Sequence, residues 1–331
     1  MFKKILFIGL GGAGQRHLRI ISGILPNAQL IAYRQLEKTP LLNSDFSINL
    51  DSTIKSEYKI DIYHDLNDAY ERKPDLVIIS TPTSLHYEHI IRASSEGAAI
   101  IVEKPGSINK LEALKVQKVI KKNNTKFLIS FQRRFHPLVI KLKDLLEKST
   151  NQIKSIDIKV KSYVPAWHPY EDYKELYACK SVLGGGVLLT ESHELDLIIW
   201  LFGLPDSLTS KISRRKELYL DVEDSALLSL DYTKFKVNIA LDFISKNTER
   251  SIYIKSDIES YFLDLESQTL KHINNNNINS IDVTNVSNDE MFEKQFKYFL
   301  DYNNNLSYSD TLLSNLTLID ECKKYQSLSN N

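Results

Sequence analysis

Cysteine is scarce in this chain of 331 residues: there are two, Cys179 and Cys322. Two thiols cannot build a disulfide framework or a cysteine-based metal cluster, so a reducing cytoplasm is the expected setting and no metal is expected. Excess charge is also missing. Lys and Arg number 42, Asp and Glu number 42, and the formal net charge is zero. No overall field therefore draws the protein to nucleic acid or to an anionic membrane, and neither is expected as a partner. Long hydrophobic runs are absent too, which excludes a helix that spans a bilayer. The stretch Met1–Gly9 begins like a secretion signal, but its apolar run breaks at once into glycines, so no signal is expected. There is no internal repeat. What remains is 42% hydrophobic and 25% charged, ordinary for a globular protein, at a length that suggests two domains.

The first third alternates short β-branched runs with amphipathic stretches. Strands are expected over 4–8, 29–33, 75–80, 99–102 and 127–131, with helical patterns between them. Asn109 with Glu112 resembles a capping box, followed by Leu111, Leu114, Val119 and Ile120 as one apolar face. Strands alternating with helices predict a parallel sheet covered on both sides. After about residue 150 the pattern changes. Alternating runs over 153–163, 224–232 and 236–243 read as longer, half-exposed antiparallel strands. Helical patterns occupy Gly184–Phe202, after its glycines, and carry Phe292, Phe296 and Phe299, then Leu312, Leu316 and Ile319; the polar run 274–277 reads as a loop. The expected fold is α/β plus α+β. A Rossmann domain over 1–125 precedes a substrate-binding and oligomerisation domain over 126–331, an open mixed or antiparallel sheet with helices on one face.

Gly9, Gly11 and Gly14 form G-x-G-x-x-G, with Gly12 and Ala13 between the last two, directly after the first strand and before a helical run. In this context the first glycine serves a tight turn, the second a close approach to a pyrophosphate, the third close helix–strand packing. The phosphates would then meet free N–H groups at a helix N-terminus. At the end of the second strand, where an acid would hold the adenosine ribose, the sequence has Arg34, and no acid follows until Glu37. Arginine there pairs with a 2′-phosphate, which favours NADP over NAD; the alternative is an ordinary surface arginine.

Five further stretches stand in order: "GLGGAGQRH", "ISTPTSLHYEHI", "VEKPGS", "FQRRFHP" and "GGGVLLTESHELD". With them the chain resembles, over nearly its whole length, the Gfo/Idh/MocA family (glucose–fructose oxidoreductase, inositol dehydrogenase, rhizopine catabolism). The resemblance implies that Lys104, of the E-K-P motif, lies beside the nicotinamide and the reacting sugar carbon. It also implies that Thr81, Pro82 and His86 belong to a loop along the cofactor. Residues Gly9, Arg34, Thr81, Glu103 and Gln132 all follow expected parallel strands, and ligands of open α/β sheets bind outside those carboxyl ends. Glu103 and Lys104 would thus face the crevice, and a partly desolvated lysine there is expected to have a lowered pKa. Alone, the pair would read as a surface ion pair ahead of a turn.

The family often shows D-x-G-x-H where this chain has Thr190, Glu191 and Ser192 before His193. The Asp is missing, and Glu191 or Thr190 is left to cover it. His193, one turn from Asp196, carries over as the second catalytic candidate, the alternative being a packed half-buried histidine. The aromatic stretch Tyr163–Tyr177 offers Trp167, His168, Tyr170, Asp172 and Tyr173 to a sugar or nicotinamide face, or to a subunit interface. Arg133 would meet an anionic substrate group or else hold the domain junction. The resemblance therefore implies an NAD(P)-dependent oxidoreductase acting on a sugar, sugar acid or nucleotide sugar, working as a homodimer or homotetramer. The wording around Trp167 looks like the branch associated with bacterial surface polysaccharides, including nonulosonic sugars. Two alternatives stand beside it: a glycoside hydrolase that oxidises transiently through a held NAD, and a non-catalytic dinucleotide sensor.

Overall fold

Six short apolar runs become the strands of one parallel sheet: β1 (Lys4–Ile8), β2 (Gln29–Tyr33), β3 (Asp61–Tyr63), β4 (Leu76–Ile79), β5 (Ala99–Glu103) and β6 (Phe127–Ser130). The computed structural model describes residues 2–35, 39–215, 217–274, 277–283, 286–302 and 307–329. The strand order is β3-β2-β1-β4-β5-β6. Leu76–Ile79 and Phe127–Ser130 are buried throughout, as strands covered on both faces require. Helices α1 (Gly12–Ile24), α2 (Ile54–Tyr58), α3 (Leu66–Glu71), α4 (His86–Ser95) and α5 (Lys110–Asn123) make the crossovers. The order reverses between β1 and β4, so the crevice opens at the carboxyl ends of these strands. Strand β3 is three residues long with Asp61 exposed, too short to show in the sequence pattern.

Helix α5 begins as expected: Asn109 Oδ1 accepts the N–H of Glu112 at 2.9 Å. Its buried face differs from the expected one. Ala113, Val116 and Ile120 are buried, while Leu111 is 63% exposed and Leu114 43%. The true stripe runs through a small residue, which a reading by large side chains passes over.

After α6 (Pro137–Lys148) the chain enters an eight-stranded sheet. Its strands are β7 (Ile153–Tyr163), β8 (Ser207–Ser213), β9 (Ser225–Tyr232), β10 (Phe235–Asp242), β11 (Ile244–Ser256), β12 (Glu259–Asp264), β13 (Thr269–Asn274) and β14 (Asn277–Asp282). The order is β14-β13-β12-β11-β7-β10-β9-β8. The sheet is mixed. β7 and β10 pair in parallel, which corrects the antiparallel reading of these runs, since alternation reports burial of one face and not strand direction. Of the expected loop over 274–277, Asn274 is the last residue of β13 and Asn277 the first of β14, paired with each other, while residues 275 and 276 lie outside the described ones. The expected boundary at 125 falls just before β6, which still pairs with β5 in the first sheet.

Between β7 and β8 come α7 (Val187–Thr190) and α8 (Ser192–Phe202); α9 (Asn288–Asp301) and α10 (Ser309–Ser329) close the fold. Phe292, Phe296 and Phe299 of α9 are buried, as are Leu312, Leu316 and Ile319 of α10. Asp289 of α9 pairs with Arg16 and Arg19 of α1, so this helix ties back to the first sheet. Among the described residues, no helix is long and apolar enough to cross a membrane.

Candidate active site

Strand β1 ends in the glycine loop. Gly9 has φ +92°, and a Cβ there would stand 2.9 Å from the carbonyl oxygen of Ser80, so the loop passes β4 only without a side chain. A Cβ on Gly14 would meet the Gly9 oxygen at 2.3 Å, which is the close helix–strand contact expected of the third glycine. Gly11 faces open space instead. It is the N-cap of α1, with no side-chain cap and no acid in the first turn. No carboxylate of the first turn offsets that helix end, and the cradle fits a pyrophosphate. Ala13 lies half-buried in the same turn. A hydroxyl already samples this place. The Tyr170 oxygen lies 2.8 Å from where a Gly12 Cβ would be and accepts a hydrogen bond from the Gly12 backbone. Tyr170 stacks on His168, and both meet Phe46 edge-on. The aromatic stretch, expected on the substrate side, therefore reaches the glycine loop through Tyr170.

Arg34 closes β2. Its backbone N–H donates to Tyr63 O at 3.0 Å, and its Nη2 donates to Thr39 O at 2.8 Å; the residue is buried. Glu37 lies outside the described residues. Thr81 follows β4 with its Oγ1 buried and without a partner among the described residues. Pro82 leads into a short 3₁₀ turn, and His86, at the start of α4, holds the Thr81 carbonyl through Nε2 at 2.8 Å. His86 is fully buried. It braces the loop from behind.

Strand β5 delivers Glu103 and Lys104 to the crevice. Glu103 accepts from His17 Nε2 at 2.8 Å. Burial pushes the Glu103 carboxyl up, but the bond and charge of His17 outweigh it, and the net direction is down. Lys104 Nζ donates to Thr190 O at 2.7 Å and to the Tyr177 hydroxyl at 3.4 Å. Burial alone would lower the lysine. Tyr177, Glu191 and Glu103 act against it and leave the pKa raised above 10.5. This corrects the expectation of a lowered value: the sequence shows the burial but not the carboxylates that gather around it. Lys104 is an ammonium at neutral pH.

The junction of α7 and α8 receives that ammonium. His193 is buried, its Nδ1 has no partner among the described residues, and its ring meets Phe131 edge-on. Burial, then the cations Arg133, Lys104 and Arg250, hold it well below 6.5, so it is a neutral imidazole. Asp196, one turn on, takes both nitrogens of Arg134 at 2.6 and 2.7 Å and is a structural anchor. Glu191 accepts from Arg250 at 2.9 Å and from Ser162 at 3.2 Å. Its charge sits near Lys104 but is committed to Arg250. Arg133 reaches the same junction, 3.7 Å from Glu194. Trp167 packs edge-on against Phe243 and Tyr173 lies half-buried against the core. No hydrogen bond among the described residues joins either of them to Lys104 or His193.

Three participants are absent from the sequence reading. Tyr177 is the last tyrosine of the aromatic stretch and had that signal. His17 had a weaker one in "GQRH". Arg250 lies mid-strand in β11 with no signal at all.

The buried imidazoles set an acid limit. Burial holds His86 and His136 at about 4, and His136 Nδ1 accepts the Leu138 N–H, which a protonated ring cannot do. The unfolded chain binds these protons near 6.5. A depressed histidine contributes stability above its unfolded pKa and loses it as pH falls toward its folded one. The thermal midpoint is therefore expected to hold steady above pH 6.5 and to fall continuously from there toward 4. A midpoint that is level across that window would overturn the assignment.

Two family models cover most of the chain. The oxidoreductase family, NAD-binding Rossmann fold, matches residues 3–131, and the oxidoreductase family C-terminal alpha/beta domain matches 149–307. A scyllo-inositol 2-dehydrogenase (NADP(+)) of Bacillus subtilis is 26% identical over 163 residues, 49% of this chain and 44% of that protein. The match thus spans less than half the length of that relative. UDP-N-acetylglucosamine 3-dehydrogenase from Acidithiobacillus ferrooxidans superposes with a TM-score of 0.77 at 15% identity, covering 99% of each chain. Levoglucosan dehydrogenase in complex with NADH and levoglucosan superposes at 0.81 and 15% identity, covering 98% of this chain and 97% of that one. At these identities the structural likeness is one of fold.

Proposed function

This chain belongs to the Gfo/Idh/MocA oxidoreductase family, and from that premise we propose that it is an NAD(P)-dependent dehydrogenase or reductase of a sugar, sugar acid or nucleotide sugar. One observation carries the reading. Lys104, from the end of β5, and His193, from α8, converge on the Thr190–His193 stretch, on the same side of the sheet as an uncapped glycine loop.

The glycine loop, Thr81 and Arg34 hold the cofactor, which when bound supplies the hydride acceptor or donor. The protein's own part is the proton. Lys104, an ammonium, donates to the substrate oxygen and stabilises the negative charge that grows there as the alcohol is oxidised. It cannot serve as the base, because it already holds its proton. The neutral imidazole of His193 takes the hydroxyl proton during oxidation and returns it during reduction. Tyr177 and the Thr190 carbonyl fix the Lys104 ammonium in place. In the absence of the family's aspartate, Glu191 keeps that ammonium charged from a distance. A panel of sugars, uronates and nucleotide sugars with both cofactors, followed by nicotinamide absorbance, tests the reading. Cofactor binding without turnover of any member would overturn it.

We further propose NADP as the preferred cofactor, supported by Arg34 at the end of β2 where NAD enzymes place an acid. Arg34→Asp is expected to weaken NADP by about tenfold or more and to favour NAD in relative terms. Equal dissociation constants for the two cofactors in the parent protein would remove the basis for this preference.

A further inference from the structure

Three cations and two carboxylates meet at the junction of α7 and α8. Lys104 Nζ donates to Thr190 O at 2.7 Å. Arg250 donates to Glu191 Oε2 at 2.9 Å and to Glu194 Oε1 at 2.7 Å. Arg133 Nε stands 3.7 Å from that same Glu194 oxygen. The neighbouring charges are committed elsewhere, Glu103 to His17 and Arg134 to Asp196. Counted over these five side chains, three cations face two carboxylates.

The surplus falls on Arg133. Both of Arg250's carboxylate partners are within hydrogen-bond distance, whereas the Arg133 guanidinium makes no hydrogen bond among the described residues and its Nε is buried. Arg133 is half-buried, its Nε enclosed and the rest of the guanidinium left with no protein hydrogen bond among the described residues, so a ligand can still reach it. Burial, then the neighbouring Arg250, pull its pKa down to about 10 despite Glu194, Glu191 and Glu266. His193, whose ring feels the Arg133 charge, has its Nδ1 buried without a partner among the described residues; the same holds for Thr190 Oγ1 and Ser192 Oγ of the same α7–α8 junction, for Gln132 Oε1 next to Arg133 in sequence, and for Glu194 Oε2. Of these the hydroxyls can donate to an anion, while the acceptor oxygens call for hydroxyl groups on the same ligand.

We infer that the substrate carries an anionic group, a carboxylate or a phosphate, and that Arg133 receives it. The inference rests on the proposed reading of this site as that of a sugar oxidoreductase. A guanidinium matches either oxyanion through paired N–H groups, and the bound anion restores charge balance at the junction. Glu191 and Glu194 are already counted in that balance, each hydrogen-bonded to Arg250.

Titration calorimetry on the NADP-loaded protein tests this with matched probes: glucuronate against glucose, glucose 1-phosphate against glucose, and UDP-N-acetylglucosamine against N-acetylglucosamine. The charged member of at least one pair is expected to bind at least about tenfold more tightly. The uronate arm distinguishes a carboxylate from the two phosphate arms. Arg133→Gln should abolish the preference, and Arg133→Lys should keep part of it. If Arg133→Gln folds poorly, the ratio measured on the parent still decides. No preference in any pair, including no binding of either member, overturns the inference, as does a preference that survives in Arg133→Gln. Cofactor reduction in the same samples separates the two readings. Turnover of neutral sugars with no charged preference overturns the anion site and leaves the oxidoreductase reading standing. A charged preference without cofactor reduction supports the anion site and counts against the oxidoreductase reading.

Discussion

Lys104→Ala is expected to lower kcat by roughly a hundredfold or more, with the dissociation constant of the cofactor nearly unchanged. A hundredfold loss corresponds to about 2.7 kcal/mol of barrier. The ammonium acts where charge grows on the substrate oxygen, so its removal costs the transition state more than the ground state. Its bonds to Thr190 O and Tyr177 show that it is held in place before substrate arrives. The cofactor cradle lies at the end of β1 and is built largely from backbone, so it should survive the change. Stopped-flow turnover together with cofactor titration measures both quantities. Near-normal turnover in the variant would make Lys104 structural and remove the central assignment. Since the lysine is held above 10.5, no loss of activity from its deprotonation should appear between about pH 6 and about pH 9.

His193→Asn carries the second large effect. Asparagine keeps a polar group near the same place but cannot accept and return a proton. Turnover should fall by about a hundredfold, within the usual range for a lost acid–base group, while cofactor affinity stays level. The pH profile separates chemistry from packing. His193 is held well below 6.5 by burial and by three cations, so the parent should oxidise at full rate through pH 6.5 and decline only in more acid solution. The variant should lose that acid limb. A packed histidine behaves otherwise: the same change would lower the thermal midpoint and leave turnover and profile as they were. That outcome would take His193 out of the site and leave Lys104 with Glu191 as the remaining candidates.

The glycine loop and the E-K-P turn were legible because each is local. Gly9 needs its positive φ and Gly14 its missing Cβ within a few residues of one another, and the strand before them supplies the context. Five of the six strands of the first sheet were legible for the same reason, since burial on both faces requires an unbroken apolar run, and β3 was too short to show. The α5 face was misread because Ala113 carries the contact that Leu111 and Leu114 would suggest. Strand direction in the second sheet was not readable, as β7 and β10 alternate in the same way whichever way they run.

By itself, then, the order of residues determined the Rossmann half, the family, and the identity of Lys104 and His193 as candidates. Tertiary structure alone decided their protonation states. Lys104 is raised because Tyr177 and Glu191, both more than seventy positions away in sequence, reach it from the far side of the crevice. His193 is depressed because the fold buries it and then brings Arg133, Lys104 and Arg250 to it from three other elements. Charge acts through space and falls off with distance, so a group's proton affinity belongs to its neighbours in the fold and not to its neighbours along the chain.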